Sequence, residues 1–377
     1  MKGRAFMKIG TITFHCSYNF GSALQAYALQ EYLLKLGHDV HIIDYRSRNF
    51  NEYKILRLNR LKSFIADIFF LRGNIRRKNS FQSFWRRYFK LTEHTYQGVN
   101  AEHNLSKDMH NYDALICGSD QIWNLDCTQG PIPPFFLSFA SDETRKIAYA
   151  PSISHREFEP ANFTSADRKR VSGWLNRFDS LSVRELSTAT HFQQLTDKRI
   201  IETLDPTLLL DLEAYKHIQA PHLPCGLWEG NYIFAYTLWE SKDMIQYLDK
   251  FAKKQGLPIV YYSKKPIHYR SRSINCWGIG PADFLTLIDK ADCVISNSFH
   301  ATVFSILYGK PFLTFGTEKS SSRMKTLLKK LGLPEEHLLP PHTKNYESAM
   351  PFASKMDVMK LNELRMDSEN FIKYALK

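Results

Sequence analysis

The residues best suited to chemistry fall in four short polar runs, each following an apolar, strand-like stretch. The densest lies in residues 292–315, DCVISNSFHATVFSILYGKPFLTF. There Ser296, Asn297 and Ser298 lead into His300 at the start of a helix. Unpaired N–H groups and the helix dipole draw anions to such a start. A phosphate held there would favour the protonated imidazole and make His300 a general acid. A purely structural histidine is the other reading. A second run, Gly118-Ser119-Asp120-Gln121-Ile122-Trp123-Asn124, follows DALIC. Asp120, at a strand's carboxyl end, suits a general base or an anchor for a hydroxyl, against the alternative of a helix N-cap.

The third run is Ser17-Tyr18-Asn19-Phe20-Gly21-Ser22. Gly21 permits close approach of a ligand to the backbone, and Asn19 and Ser22 offer polar contacts beside a helix start. The run is neither a GxGxxG fingerprint nor a Walker loop, and a plain strand-to-helix turn is its alternative. The fourth is Ser182-Val183-Arg184-Glu185. Arg184 can grip a carboxylate or phosphate through two parallel hydrogen bonds, or can be paired with Glu185 or another acid.

The elements that position these runs read as alternating strands and helices. Lys8 to Phe14 alternates and is rich in β-branched residues, as a strand does. Ser22 caps the helix expected over Ala23 to Leu36, Gly37 ends it, and Asp39 to Tyr45 is the next strand. A strand, helix and strand in so few residues imply a parallel sheet. The pattern resumes at Asp113. An irregular stretch between Leu212 and Asn231, with Pro221, Pro224, Gly226 and Gly230, marks a boundary. Alternation then restarts and runs to a closing helix near Met356 to Leu376. The expected fold class is α/β, with two domains, 1–215 and 216–377. Each is built on a parallel sheet, and the two face each other across a cleft. Ligands of such sheets bind beyond the carboxyl ends of the strands.

Composition narrows the function classes. The chain has 377 residues, 44% of them hydrophobic and 23% charged, which fits a globular protein and not a disordered one. No apolar run approaches the roughly 18 residues of a membrane span, and no secretory signal pattern heads the sequence. A cytoplasmic location is expected. The six cysteines form no CxxC pair and show no zinc-ligand spacing, so no metal site is expected. The net charge of +12 is concentrated: residues 54–90 hold eleven Lys and Arg against Asp67 alone. Phe64, Phe69, Phe81, Phe84 and Trp85 interleave these charges. This basic helical insertion in the N-terminal domain suits an anionic membrane surface or nucleic acid, or is a core-facing helix pair with a solvated basic side. No nucleic-acid motif accompanies it.

Taken in order, KIGTITFHCSYNFGSALQAYAL, YDALICGSDQIWN, LSVRE, LDPTLLL and GPADFLTLIDKADCVISNSFHATVFSILYGKPF resemble the polysaccharide pyruvyl transferase family. The likeness spans residues 8 to 315, and SSRMKTLLKKLGL extends it to Leu333. The resemblance implies two Rossmann-like domains in a GT-B-like arrangement. It also implies transfer of pyruvate from phosphoenolpyruvate to a sugar of a surface-polysaccharide precursor as a ketal, with no cofactor beyond that donor substrate. By the same resemblance Asp120 is the acidic cleft residue, Arg184 the carboxylate-binding arginine and His300 the catalytic histidine. One departure stands out. The family's usual Ser-Arg-Leu-His string is here Asn297-Ser298-Phe299-His300, and Ser298 cannot supply the cation. Arg323, on the following helix, is the candidate replacement. The implied partners are phosphoenolpyruvate and a lipid-linked saccharide acceptor, with peripheral membrane contact through 54–90. A nucleotide-sugar glycosyltransferase and a non-catalytic family member are the competing readings.

Overall fold

The computed structural model describes residues 6–47, 68, 70–153, 163–224, 231–239, 241–263, 267–317, 321–341, 343 and 348–377. Much of the basic stretch, including Lys54, Arg57, Arg60 and Lys62, lies outside the described residues, as do Cys225 and part of the expected boundary. The chain divides by contact into two units. Unit 1 comprises Met1–Asn51, Trp85–Leu210 and Asn362–Lys377; unit 2 comprises Glu52–Phe84 and Asp211–Leu361. The expected division placed 54–84 in the N-terminal domain and 362–377 in the C-terminal one.

Local chemistry accounts for this grouping. In the helix Leu71–Tyr88, Gly73 leaves room for the Trp277 ring, because a Cβ there would stand 2.6 Å from Trp277 Cδ1. The Trp277 indole N–H donates to Asn74 Oδ1 at 3.1 Å, and the Arg77 guanidinium lies 4.4 Å from the indole centroid. Ser80 Oγ donates to the Gly278 carbonyl at 3.1 Å. In unit 1, Arg365 donates to the carbonyls of Leu208 (2.6 Å) and Leu210 (2.8 Å), and Ser368 Oγ accepts from Leu204 N at 2.9 Å.

Among the described residues the sheet of unit 1 has seven strands: β1 (Lys8–Ile12), β2 (Asp39–Arg46), β3 (Leu91–Gln97), β4 (Ala114–Gly118), β5 (Arg145–Tyr149), β6 (Ser180–Val183) and β7 (Ile200–Glu202). Their order is β3-β2-β1-β4-β5-β6-β7, every pair parallel. Among the described residues unit 2 has six: β8 (Ile233–Tyr236), β9 (Ile259–Tyr262), β10 (Ser273–Asn275), β11 (Cys293–Ser296), β12 (Phe312–Phe315) and β13 (Leu338–Leu339). They run β10-β9-β8-β11-β12-β13, again all parallel. The central strands β1, β4, β8 and β11 are almost wholly buried, as parallel strands covered on both faces must be. In both sheets the winding reverses between the first strand and its sequence-distant neighbour. Those are the points β1/β4 and β8/β11, where open α/β sheets take their ligands.

The first helix corrects one expectation. It spans Phe20–Lys35, and its N-cap is Asn19, not Ser22. Asn19 Oδ1 accepts from Gly21 N at 2.9 Å and Ser22 N at 3.3 Å. An asparagine three residues earlier satisfies the orphan N–H groups, which releases the Ser22 hydroxyl for other work.

Candidate functional site

The polar runs gather at the two switch points. In unit 1, the turn after β4 carries Ser119 (φ 35°) and Asp120 (φ 64°), two successive non-glycine residues in the left-handed region. Such backbone persists only where its surroundings over-determine it, and it concentrates at functional sites. The constraints are visible here. Thr13 Oγ1 donates to the Ser119 carbonyl at 3.0 Å, and Ser119 N donates to the Tyr149 carbonyl at 2.8 Å. Ser152 N donates to the Asp120 carbonyl at 2.9 Å. The Asp120 carboxylate accepts from Ser22 Oγ and, at 2.9 Å, from Gln121 N. Behind the turn, Trp123 is fully buried, stacked on Phe136 at 5.2 Å, with its indole N–H on the Phe135 carbonyl at 3.0 Å. Gly118 completes the fit, since a Cβ there would stand 2.8 Å from Leu29 Cδ2.

Arg184 reaches this turn from the end of β6, yet its charge is met by acids. Nη1 donates to Asp205 Oδ2 at 2.8 Å, and Nε stands 3.5 Å from Glu185 Oε2. Burial opposes the guanidinium charge; Glu185, Asp205 and Asp120 outweigh it and raise the pKa above its ordinary value. Asp205 Oδ2 also accepts from Ser119 Oγ at 3.0 Å, and Oδ1 accepts from Thr207 N (3.0 Å) and Oγ1 (2.6 Å). Asp205 thus ties Arg184 to the strained turn. Sequence reasoning passed over it as a site residue, although the Asp-Pro step in LDPTLLL, just beyond a strand, was the signal. Glu185 accepts from Ser152 Oγ.

In unit 2, the helix Phe299–Leu307 begins at the end of β11, with Ser298 as its N-cap. Ser298 Oγ accepts from Ala301 N at 3.4 Å, the duty of a helix cap. Asn297 ties the loop after β8 to that after β11: Oδ1 accepts from Leu238 N and Nδ2 donates to the Trp239 carbonyl, both at 2.8 Å. His300 is buried on the helix's first turn. Its ring meets Phe299 edge-on at 5.3 Å, and the Arg323 guanidinium lies 5.4 Å from the Phe299 centroid. The structure therefore gathers Asn19, Gly21, Ser22, Ser119, Asp120 and Arg184 in unit 1. It gathers Asn297, Ser298, His300 and Arg323 in unit 2.

A further cluster was missed because its members are distant in sequence. His15, Cys16 and Asp44 bring a ring nitrogen, a sulfur and a carboxylate oxygen within 4.8 Å of one another. Both Asp44 oxygens are already engaged: Arg46 donates at 3.0 and 2.9 Å, His15 Nε2 stands 3.1 Å away, and Thr95 Oγ1 donates at 2.5 Å. The cluster is an ion-pair chain, since a cation would have to displace the Arg46 guanidinium. Burial pushes the His15 pKa down, but Cys16 and Asp44 more than reverse this and bring it up to about 10. Burial alone would raise Asp44; His15 and Arg46 hold it well below the usual carboxylate range. A histidine whose folded pKa lies above its unfolded value of 6.5 stabilises fully below that value. The contribution is lost as pH climbs through the folded pKa. Unfolding free energy is therefore expected to fall between pH 7 and 10, by up to about 1.4 kcal/mol per pH unit. In His15→Gln the slope should flatten. Equal slopes in urea titrations of both proteins would contradict the assignment.

Comparison with known proteins fits this geometry. A structure assigned as a UDP-N-acetylglucosamine 2-epimerase from Listeria monocytogenes superposes with a TM-score of 0.50 at 11% identity, covering 96% of this chain and 95% of that one. An α-glucosyltransferase in complex with UDP and a 13-mer DNA gives 0.50 at 9% identity, with 99% and 91% covered. At such identities the likeness is one of fold, and the fold is that of the GT-B enzymes. A sequence model of the family described as polysaccharide pyruvyl transferase matches residues 19–319. The chain belongs to the polysaccharide pyruvyl transferase family. No curated protein is matched by sequence.

Proposed function

We propose that this protein transfers the pyruvyl group of phosphoenolpyruvate to a saccharide of a surface-polysaccharide precursor, forming a ketal across two hydroxyls. The observation that carries the reading is His300 on the first turn of a helix at the β8/β11 switch point. N–H groups there suit the donor phosphate. In this reading His300 protonates the methylene carbon of phosphoenolpyruvate, and positive charge develops at the central carbon. A sugar hydroxyl oriented by Asp120 attacks that carbon and yields its proton. Inorganic phosphate leaves, and a second hydroxyl closes the ketal with loss of its own proton. Arg323, beside Phe299, serves as the cation that Ser298 cannot provide. Arg184, shared between Asp205 and Glu185, holds the Ser119–Asp120 turn in place. Binding tests the reading. Phosphoenolpyruvate at 100 times its dissociation constant adds about 2.7 kcal/mol of stability. It should raise the melting temperature more than inorganic phosphate does. Stabilisation by UDP alone would move the chain to the glycosyltransferases.

A lipid-linked acceptor and contact with an anionic membrane belong to the same proposal. Among the described residues no helix is long and apolar enough to cross a membrane. The helix Leu71–Tyr88 exposes Arg72, Ile75 and Arg76, while Arg77 is engaged with Trp277. At about 1 kcal/mol per basic residue near an anionic surface, Arg72→Gln and Arg76→Gln should each weaken binding to phosphatidylserine vesicles by about fivefold. Unaltered binding in the double variant would remove the membrane from the account.

A further inference from the structure

Unit 1 holds a nucleophile that the chemistry above does not use. Cys16 is a thiol next to His15, in the stretch between β1 and the helix Phe20–Lys35. Its sulfur stands within 4.8 Å of a His15 ring nitrogen and an Asp44 oxygen. The hydrogen bonds around His15 fix the charge of its ring. Nε2 faces Asp44 Oδ1 at 3.1 Å, and Nδ1 faces the Thr13 carbonyl at 3.3 Å. Asp44, chelated by Arg46 and bonded by Thr95, is ionised. A carboxylate and a carbonyl can only accept, so both ring nitrogens carry hydrogen and His15 is an imidazolium.

This imidazolium is 1% exposed, and Arg46 already answers Asp44, so the buried cation calls for a second anion. Ionised Cys16 supplies it: His15, Cys16, Asp44 and Arg46 then sum to zero. The same groups govern the titration of His15. Burial alone would lower its pKa, while Cys16 and then Asp44 raise it. Thiols elsewhere lack such a partner charge: burial pushes Cys117 well up, and Cys293 up to about 12. We propose that Cys16 is a thiolate held by the His15 imidazolium and is a modification site for small peroxides. The sulfur attacks one peroxide oxygen; the S–O bond forms as the O–O bond breaks. Sulfur gives up two electrons, and the departing hydroxide takes a proton from His15 and leaves as water. Sulfenic acid and a neutral imidazole remain, with Asp44 and Arg46 still balanced. Cys16 is 4% exposed, which suits an oxidant as small as hydrogen peroxide and disfavours bulky electrophiles.

The test treats the full chain, wild type and His15→Gln, with hydrogen peroxide between pH 6 and pH 8. A cyclic 1,3-diketone traps sulfenic acid, and mass spectrometry of peptides locates it. A thiol of ordinary pKa, about 8.5, gains roughly 75-fold in thiolate over that range. The Cys16 peptide of the wild type should instead be labelled at a rate that changes less than about twofold, because its sulfur is ionised throughout. In His15→Gln the steep rise should return. A second measurement stands if that variant does not fold: the ultraviolet thiolate absorbance of the wild type, less that of Cys16→Ser, should be constant over the same range. A steep rise in the wild-type rate or absorbance, or a Cys16 peptide that peroxide leaves unlabelled, would overturn the assignment. Neither outcome depends on the pyruvyl donor.

Discussion

Replacing His300 by glutamine is expected to lower pyruvyl turnover by about 100- to 10,000-fold, the range a positioned acid–base group contributes. Donor affinity should change only a few-fold. The asymmetry follows from the division of labour at the β8/β11 switch point. Backbone N–H groups of the helix start, capped by Ser298 and tied to the neighbouring loop by Asn297, would hold the donor phosphate. None of these is removed with the imidazole. On the proposed mechanism, the variant would lack the proton that reaches the methylene carbon before a hydroxyl attacks. Glutamine keeps similar bulk and polarity at a buried position, so the fold survives. Steady-state rates with saturating donor, paired with calorimetric donor titrations, check both halves. Wild-type turnover in the variant would remove His300 from the chemistry.

Removing Asp205 should strongly destabilise unit 1. Its fully buried carboxylate answers Arg184, Ser119 and both donors of Thr207. Asp205→Ala leaves the Arg184 guanidinium buried with a lost partner, a break that costs about 3–5 kcal/mol. That is a large part of a total stability of about 5–15 kcal/mol. Asp205→Asn, which keeps the oxygen but not the charge, should cost less. Urea unfolding of the two variants measures the difference, and a loss below about 1 kcal/mol in the alanine variant would show that Arg184 finds compensation elsewhere. The same network bears on functional tests. Arg184→Ala would unpair two buried acids, so lost donor binding in that variant would report a disturbed turn as readily as a missing ligand contact.

The alternating strands and helices around both switch points were legible from the sequence because buried parallel strands are continuous apolar runs and their helices carry strong caps. The strand Leu91–Gln97 was not: LTEHTYQ is a mostly exposed edge strand, so it lacks the apolar signal. Ser22 looked like the helix cap because its type is right, but Asn19 reaches the same N–H groups first. The family motifs singled out Asp120, Arg184 and His300 as candidates, yet no local pattern tells an arginine awaiting a ligand from one answered by an aspartate 21 residues on. The His15–Asp44–Arg46 chain was invisible for the same reason, since its members meet only when β1 and β2 pair. The packing of Gly73 within unit 2 depends on Trp277, some 200 residues further along the chain.

The most direct test of the central claim is mass spectrometry of bacterial surface glycans incubated with the purified protein and phosphoenolpyruvate. The account predicts a glycan heavier by one pyruvate less one water, one inorganic phosphate released per glycan modified, and neither product with His300→Gln. Glycans left unmodified by phosphoenolpyruvate but extended by one sugar when a UDP-sugar is supplied would contradict it.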